Sequence, residues 1–512
     1  MTAVTIKELI DQQACLKKKF LTEPVTGKTL SYSEIKDSVA DIQNWLTEAG
    51  FTKSSKVAIA LENGIEAAIC ILGVMYSGGV VVPVNLGWKA NEISYILRNS
   101  DSSFLISTEK IMRETGLEAK KKRIFHKKEL RLLCLNPENS GQKEEKQVKE
   151  LLADDLALLL YTSGTTGAPK GVMLTHKNLL AEAEHIQRGH KLVKEDKGMQ
   201  VLPLFHINGL VIGFLTPFFA GQELIMPPKF SVSHFWEWIE KYQVTWLSAV
   251  PTILSMILSR TSADYKGASS LKFMRSASAP LPEAVLNEFE TRFHVPVIES
   301  FGISEGASQI TVNPIDGVRK PGSAGIAIGN EVQIVDEKEQ VLGTDQTGEV
   351  RVRGDNIFCG YYHLPDETGK SLRDGWFYTG DLGWMDQDGY LFLKGRKKEL
   401  INRAGEKFSP REIDELLYQI PGIELAATVG VPDPLYNEEV VAFIKVREGS
   451  TLTEQEILDY CKGKLADFKL PKEIFFTEDF PKGPSGKIQR LKLRNEYEER
   501  KKKRGEQYEK EA

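Results

Sequence analysis

Cysteine is scarce in this chain and follows no pattern. The cysteines are odd in number and widely spaced, and no two of them form a Cys-x-x-Cys pair. This excludes a disulfide framework and a zinc knuckle, and it predicts a reducing compartment, which we take to be the cytoplasm. The five residues are Cys15, Cys70, Cys134, Cys359 and Cys461.

Long hydrophobic runs are also absent. Ala67–Val84 is interrupted by Gly78-Gly79, and Gly209–Gly221 is shorter than the roughly 20 residues that a membrane span needs and contains Pro217. The first residues, Met1–Gln12, mix acidic and basic side chains without an apolar centre, unlike a secretory signal. We therefore predict no transmembrane segment.

No charge of one sign dominates. Lysine and arginine number 66 and aspartate and glutamate 71, which gives a net charge of −5. This balance offers no electrostatic case for nucleic acid as a partner. The charge-rich stretches Lys120–Lys128, Lys143–Lys149 and Leu491–Ala512 mix both signs with few aromatic residues, so we interpret them as solvated surface.

The pattern of hydrophobic residues predicts an α/β fold in 512 residues, enough for two or three globular units. Short apolar runs alternate with stretches of helical period such as Tyr32–Ala49 and Ile65–Met75, which indicates βα units around mostly parallel sheets. The runs are Lys56–Leu61, Gly79–Val84, Ser103–Ile106, Leu156–Tyr161 and Val295–Ile298.

Two changes of pattern divide the chain. From Glu331 short alternating strands (Glu331–Val335, Gly348–Arg353) predict a small β-barrel-like subdomain over about 325–395, at the end of a large N-terminal domain over 1–395. A boundary at Lys394–Lys398 precedes a small α+β C-terminal domain over 399–512. That domain is predicted to contain a helix Pro410–Gln419 capped by Ser409, strands Ala426–Val431 and Val440–Val446, and a helix from Thr453 to Leu465.

The densest chemistry lies in Tyr161–Gly171, directly after the strand Leu156–Leu160. Its three glycines allow close approach of the backbone, its hydroxyl residues are donors, and Lys170 adds a positive charge, so the segment suits phosphate binding. It lacks the Gly-Lys-Ser/Thr of a Walker A loop. The alternative is an ordinary turn rich in glycine and threonine.

From about Leu30 to Arg490 the chain resembles the adenylate-forming superfamily, in its acyl-CoA synthetase branch, near the oxalate and malonate CoA ligases and the fatty acyl-CoA synthetases. The resemblance implies an AMP-binding N-terminal domain, a hinge at 396–398 and a mobile C-terminal domain with a catalytic lysine. Six matches occur in the expected order: the Tyr161–Gly171 loop, Phe301-Gly-Ile-Ser-Glu305, Gly348-Glu349, Tyr378-Thr-Gly-Asp381, Gly395-Arg396 with Lys398, and Pro481–Lys487.

The same resemblance implies roles for single residues. Phe301 stacks on adenine, Asp381 takes the ribose hydroxyls, and Thr162 and Glu305 hold Mg²⁺, a cation suited to oxygen ligands. Taken singly, each has a structural alternative, such as an Asx turn at Asp381. The implied cofactor-binding residues are Thr162, Ser163, Gly164, Thr165, Thr166, Gly167, Lys170, Ser278, Ala279, Pro280, Ser300, Phe301, Gly302, Ile303, Ser304, Asp381, Leu393, Arg396 and Gly405.

The implied catalytic residues are Lys487, His206 and Glu305. A carboxylate that attacks ATP gathers negative charge at phosphorus, and a fixed ammonium such as that of Lys487 stabilises this charge in the transition state. Arg396 is implied to touch the ribose and phosphates, and Lys398 to be the pivot of the hinge. His206 is implied to line the acyl pocket.

The resemblance thus implies that a carboxylic acid is activated by MgATP and transferred to CoA, whose pantetheine would pass Gly405. The implied pocket wall is mostly small or apolar: Ile207, Val250, Ser276, Ala277, Ser278, Gly302, Ile303 and Ser308. Because Ser300 and Ser308 stand where the malonate and oxalate enzymes have a cation or donor, we predict an aliphatic monocarboxylate.

The acid and its acceptor stay open at this point. Arg275 is interpreted as half of a buried structural ion pair, although it offers a cation for a second carboxylate. The chain could therefore be an oxalate- or malonate-type ligase. It could also be a free-standing ligase that loads an acyl-carrier protein, or a nucleotide-binding scaffold without turnover.

Overall fold

A computed structural model describes residues 3–114, 121–125, 128–135, 150–162, 169–262, 264–482 and 488–511. The strands are β1 Lys19–Thr22, β2 Thr29–Ser31, β3 Lys56–Ala60, β4 Val80–Pro83, β5 Phe104–Ser107, β6 Lys121–Phe125, β7 Lys128–Cys134, β8 Leu156–Thr162, β9 Lys170–Thr175, β10 Lys197–Gln200, β11 Glu223–Ile225, β12 Trp246–Ala249, β13 Phe273–Ser276, β14 Val297–Ile303, β15 Ser308–Val312, β16 Ile326–Ala327, β17 Glu331–Val335, β18 Gly348–Arg353, β19 Gly360–Tyr361, β20 Leu372–Arg373, β21 Trp376–Met385, β22 Leu391–Arg396, β23 Ile401–Arg403, β24 Glu406–Phe408, β25 Ile423–Asp433, β26 Asn437–Val446 and β27 Glu473–Phe476.

Helices cover the faces of these sheets. They are α1 Ile6–Gln13, α2 Tyr32–Glu48, α3 Ile65–Tyr76, α4 Ala90–Asn99, α5 Glu109–Glu114, α6 His176–Gly189, α7 Thr216–Phe219, α8 Val232–Tyr242, α9 Pro251–Arg260, α10 Glu283–Phe293, α11 Pro365–Ser371, α12 Pro410–Leu417, α13 Glu454–Cys461 and α14 Arg490–Glu511, with a π-helix Asn208–Leu215 and 3-10 turns Ser304–Gly306, Lys397–Glu399 and Asp467–Lys469. No helix in the described part of the chain is both long and apolar enough to cross a membrane.

Two large sheets form the N-terminal part. One has the strand order β16-β15-β14-β13-β12-β10-β11-β1-β2 and the other β19-β9-β8-β4-β3-β5-β7-β6. Their central strands, from β14 to β1 and from β8 to β5, run parallel, and antiparallel strands flank them. The predicted parallel βα units are confirmed at the centres of the sheets.

Local sequence explains the first βα units. Ser31 begins α2 with a capping box, in which its Oγ accepts the Glu34 N–H at 3.2 Å and the Glu34 carboxylate accepts the Ser31 N–H at 2.7 Å. Helix α3 is buried almost all round, and it approaches α2 so closely that a Cβ on Gly73 would lie 2.6 Å from the Ile42 side chain. Glycine therefore sets the spacing of these two helices.

The predicted β-rich subdomain is a five-stranded antiparallel sheet of order β17-β18-β21-β20, with β22 also paired to β21. Strand β21 is long enough to pair with three neighbours. Two short strands of the same region leave it: β16 joins the nine-stranded sheet and β19 the eight-stranded sheet. The subdomain is thereby attached to both large sheets.

The C-terminal sheet has the order β24-β23-β26-β25, with β27 on β26. Ser409 caps α12 as predicted, its Oγ accepting the Arg411 N–H at 3.2 Å. The prediction carried the next helix to Leu465, but α13 ends at Cys461, because Lys462 leaves the helical conformation with ψ 134° and Gly463 follows in a left-handed conformation with φ +77°.

The charged segments are only partly solvated surface. Leu493 and Tyr497, in the first turns of α14, are buried against β25 and β26, so the prediction for 491–512 was wrong for this part. Strands β6 and β7 form an antiparallel hairpin at the edge of the eight-stranded sheet. Residues 143–149 lie outside the described residues.

Candidate active site

The predicted site residues gather where the parallel strands β12, β13 and β14 end, the usual position of ligands in open α/β sheets. Two cavities lie there. The first, about 200 Å³, also borders the C-terminal domain, and we call it the interdomain cavity. The second, about 580 Å³, is lined by Leu160, Tyr161 and Thr162 at the end of β8, and we call it the inner cavity. Ser278, Gly302 and Arg396 line both, so the cavities are adjacent.

Most predicted cofactor residues line one of the two. Those of the interdomain cavity are Ser278, Ala279, Pro280, Ser300, Phe301, Gly302, Asp381, Leu393 and Arg396. Those of the inner cavity include Thr162, Lys170, Ile303, Ser304 and Glu305 together with the predicted pocket residues His206, Ile207, Ala277 and Ser308. Gly405 is exposed and lines neither. Ser163, Gly164, Thr165, Thr166, Gly167 and Lys487 lie outside the described residues.

Asp381 and Arg396 face each other across two paired strands. They are register partners on β21 and β22, and Arg396 Nε lies 2.9 Å from Asp381 Oδ1. The Asp381 side chain is nearly buried while Arg396 is partly exposed to the cavity. The pair therefore presents a carboxylate beside a guanidinium at one wall, an arrangement that suits hydroxyl and phosphate oxygens.

The strand β14 carries the aromatic motif to the cavities. Its pairing with β15 shifts register between Phe301 and Gly302, a bulge that re-aims the side chains around it. A Cβ on Gly302 would lie 1.8 Å from the carbonyl oxygen of Ser308, so the two backbones approach as closely as only glycine allows. Phe301 is 8% exposed and offers its ring to the interdomain cavity.

Glu305 follows in the 3-10 turn after β14. Its Oε1 accepts the hydroxyl hydrogen of Tyr361 at 2.6 Å, and its backbone oxygen accepts the Phe358 N–H at 2.8 Å. The carboxylate remains half-buried at the inner cavity, which Thr162 also lines. The described residues hold no cluster of three or more histidine, cysteine or acidic side chains, so a metal at this wall would depend on few protein ligands.

Lys170 is already paired. Its Nζ lies 2.7 Å from Glu367 Oε2 and 5.1 Å from the centre of the Tyr361 ring. The hydrogen bond from Lys170 lowers the pKa of the Glu367 carboxyl to about 2. Lys170 is therefore held beside the cavity by its contact with α11.

His206 is neutral at physiological pH, because burial lowers its pKa to about 4. Its Nδ1 accepts the Asn208 N–H at 3.3 Å, which leaves the proton on Nε2. Asn208, buried on the π-helix, donates from Nδ2 to Ser278 Oγ at 3.2 Å and accepts from Ser248 Oγ at 2.8 Å. Sequence reasoning missed Asn208 and Tyr361; the only signal for Asn208 was its position two residues after His206, in the segment Pro203–Gly209.

Arg275 does not form the ion pair that was predicted. In the described chain its hydrogen bonds go to neutral acceptors: Ser248 Oγ at 3.0 Å, Gln309 Oε1 at 3.3 Å and Asn208 Oδ1 at 3.4 Å. The side chain is fully buried and lines the inner cavity. Its position within the site corrects the interpretation as a structural pair.

The C-terminal domain closes the interdomain cavity. Arg411 Nη1 donates to the Leu393 carbonyl at 2.7 Å, and Arg447 contacts the Glu288 carboxylate at 2.8 Å. Glu299, buried in the cavity wall, has its pKa raised to about 7 by burial, with Arg411 opposing the shift. Ile488, the neighbour of the predicted catalytic lysine, lines this cavity, whereas Lys398 lies exposed in the turn Lys397–Glu399.

Comparisons with known proteins agree with this geometry. The family described as AMP-binding enzyme matches residues 11–362, and the AMP-binding enzyme C-terminal domain matches residues 412–487. A sulfoacetate–CoA ligase of Cupriavidus necator is 37% identical over 97% of this chain and 100% of its own. An oxalate–CoA ligase of Arabidopsis thaliana is 38% identical over 91% of this chain and 93% of its own. The crystal structure of ATP-bound MatB from Rhodopseudomonas palustris superposes with a TM-score of 0.87 at 30% identity, covering 97% of this chain and 99% of that one.

Proposed function

The chain belongs to the AMP-binding enzyme family and is an ATP-dependent acid–thiol ligase, and we propose that its two adjacent cavities hold the nucleotide and the acid during one reaction. A carboxylate oxygen attacks the α-phosphorus of ATP to form an acyl-adenylate and pyrophosphate. The CoA thiol then attacks the acyl carbon, which forms the thioester, releases AMP and frees the thiol proton. ATP and CoA are the co-substrates.

One observation carries the assignment of the nucleotide site. Phe301, Asp381 and Arg396 come from separate segments and line one cavity, in which the Asp381–Arg396 pair is 2.9 Å apart. We propose that the Phe301 ring stacks on adenine and that Asp381 accepts the ribose hydroxyls. Arg396 is then directed at the phosphates by its contact with Asp381.

The residues at the inner cavity fit Mg²⁺, a hard cation that takes oxygen ligands and usually keeps waters and substrate phosphates in its shell. Glu305 would hold it through its carboxylate, oriented by the Tyr361 hydroxyl, and Thr162 through its hydroxyl. When bound, the ion neutralises phosphate charge. Few protein ligands would be needed, because substrate phosphates and waters usually occupy much of the shell of this cation.

For the second half-reaction we propose that the C-terminal domain, residues 399–512, turns about the segment 396–398. Gly405 is exposed and lines neither cavity while Ile488 lines one, which matches an arrangement for adenylation. Gly405 would reach the site only after rotation. The exposed position of Lys398 in a short 3-10 turn supports the pivot.

Two classes of acid are candidates for the substrate. Ser300 and Ser308 favour an aliphatic monocarboxylate, as predicted from the sequence. A second candidate is a short acid with two anionic groups, because relatives at 37% and 38% identity are named for sulfoacetate and oxalate. Loading of an acyl-carrier protein and a cytoplasmic location stay predictions.

The test is pyrophosphate release by the purified enzyme with MgATP over a panel of acids, with and without CoA. We expect release that depends on the acid, and acyl-CoA with AMP only when CoA is present. If no acid stimulates release, the chain is a nucleotide-binding scaffold. If the thioester forms only on a carrier protein and never on CoA, the carrier protein is the acceptor of the acyl group instead of CoA.

A further inference from the structure

Arg275 is a buried cation whose hydrogen-bond acceptors among the described residues are all neutral. It lies on β13, and its Nε and Nη1 donate to Gln309, Asn208 and Ser248. Burial lowers its pKa to about 9, which still leaves the guanidinium charged at neutral pH. Charged groups in protein interiors are usually paired, so this charge requires an explanation.

The nearest acidic group does not supply a pair. Glu182, on α6, interacts electrostatically with Arg275, but no carboxylate of the described residues lies within 4 Å of the guanidinium. Its carboxylate is occupied elsewhere: Oε2 accepts Asn356 Nδ2 at 2.9 Å, and Oε1 accepts the Gln309 N–H.

The location of the charge connects it with the substrate. Arg275 lines the inner cavity together with His206, Asn208 and Ser308. His206 is neutral there, and several of the other charged side chains that line the cavity have partners: Lys170 pairs with Glu367, Arg396 pairs with Asp381, and Glu305 accepts from the Tyr361 hydroxyl. In a low-dielectric wall a single charge acts strongly over several ångströms, so it acts on a bound tail even without a direct contact.

We propose that Arg275 is the specificity residue of the acyl site and that it provides the counter-charge for an anionic group, a carboxylate or a sulfonate, in the tail of the acid. The inference rests on the proposed function. It names the residue of this chain that would select the second candidate, the short acid with two anionic groups. A neutral tail would leave the guanidinium buried without compensation, and an anionic tail removes that cost.

The experiment compares tails of matched size. Wild-type kcat/KM for pyrophosphate release is measured with malonate, sulfoacetate, propionate and butyrate, and the same panel is run for R275Q, R275K and R292Q. Arg292 is the matched control, since it is a half-buried arginine outside both cavities that donates to the backbone carbonyls of Leu258, Thr261 and Ser262.

We expect wild type to favour one or both anionic tails by about 100-fold, R275Q to lose that ratio, and R275K to keep most of it because the charge remains. R292Q should change stability and leave the ratio unchanged. A preference for malonate would identify the anionic group of the tail as a carboxylate, and a preference for sulfoacetate would identify it as a sulfonate. If R275Q does not fold, the ratio of kcat/KM for anionic to neutral tails in wild type and in R275K tests the inference.

A wild-type preference for propionate or butyrate overturns the inference and leaves the ligase intact. An unchanged ratio in folded R275Q also overturns it, because a purely structural arginine alters stability and not the selection of tail charge. If no acid in the panel or in the broader set above drives release, the proposed function fails, which is a different result from either of these.

Discussion

The closest backbone approach in the site provides a sharp test of its geometry. In Gly302→Ala the new Cβ would lie 1.8 Å from the Ser308 carbonyl oxygen and 2.7 Å from its carbon, while ordinary contacts begin at 3.4 Å. Strands β14 and β15 must therefore separate locally by about 1.6 Å, the difference between 3.4 and 1.8 Å. The neighbour is backbone and has no rotamer to change.

We expect two measurable effects of this substitution. Overpacking costs about 1–3 kcal/mol of unfolding free energy, and the rigid contact favours the upper end. Phe301 and Glu305 flank the glycine, so a shift larger than 1 Å should also lower ATP–pyrophosphate exchange by about 10²-fold. Urea unfolding and exchange with the best acid measure the two effects separately.

Gly369→Ala is the matched control. This glycine lies exposed in α11, and a Cβ there meets nothing within 4 Å. Its replacement should raise stability by about 0.5–1 kcal/mol and leave exchange unchanged. If Gly302→Ala unfolds at the wild-type urea concentration and retains full exchange, β14 and β15 do not approach each other as described.

Three further predictions concern the reaction and the core. Lys487→Ala should lower exchange by about 10²–10³-fold with ATP affinity nearly unchanged, and full exchange in this variant would exclude the lysine from the chemistry. Lys398→Pro should retain exchange but lose acyl-CoA formation, while Lys398→Ala keeps both; equal loss of both steps would exclude the pivot. Burial lowers the His176 pKa to about 4, so its neutral ring contributes up to about 3 kcal/mol of stability above pH 6.5 that is lost as the pH falls toward 4. Urea unfolding at pH 7 and pH 5 should therefore show a smaller loss, by about 2 kcal/mol, in His176→Gln than in wild type, and equal losses would place the effect elsewhere.

Much of the fold was predictable because local signals agree with the tertiary structure. The capping box of Ser31 and Glu34 starts α2, and the apolar run of β3 lies at the centre of a sheet, where both faces are buried. Predictions failed where long-range packing decides. Nothing in the charged segment after Leu491 indicates that Leu493 and Tyr497 contact the C-terminal sheet.

The candidate site divides in the same way. Phe301, Glu305 and Asp381 stand in recognisable motifs, so their types and order predicted that they lie together. Tyr361 has no such motif: its hydroxyl reaches Glu305 only because β19 pairs with β9, which brings residues 56 positions apart into contact. A residue that orients a functional group in this way is found only from the structure, because its distance from that group along the sequence follows no pattern.

The charge of the inner cavity shows why the identity of the acid is the hardest part to predict. From the sequence, the serines at 300 and 308 indicated a neutral tail. In the structure, the side chains that accept hydrogen bonds from Arg275 come from three segments, 27, 34 and 67 residues away along the chain, and each is neutral. A residue type at one position does not report whether its charge is compensated; only the surrounding shell does. The serines and the arginine therefore predict opposite signs for one measurable quantity, the ratio of kcat/KM for malonate to that for propionate, because a neutral wall rejects the second carboxylate and an uncompensated guanidinium attracts it.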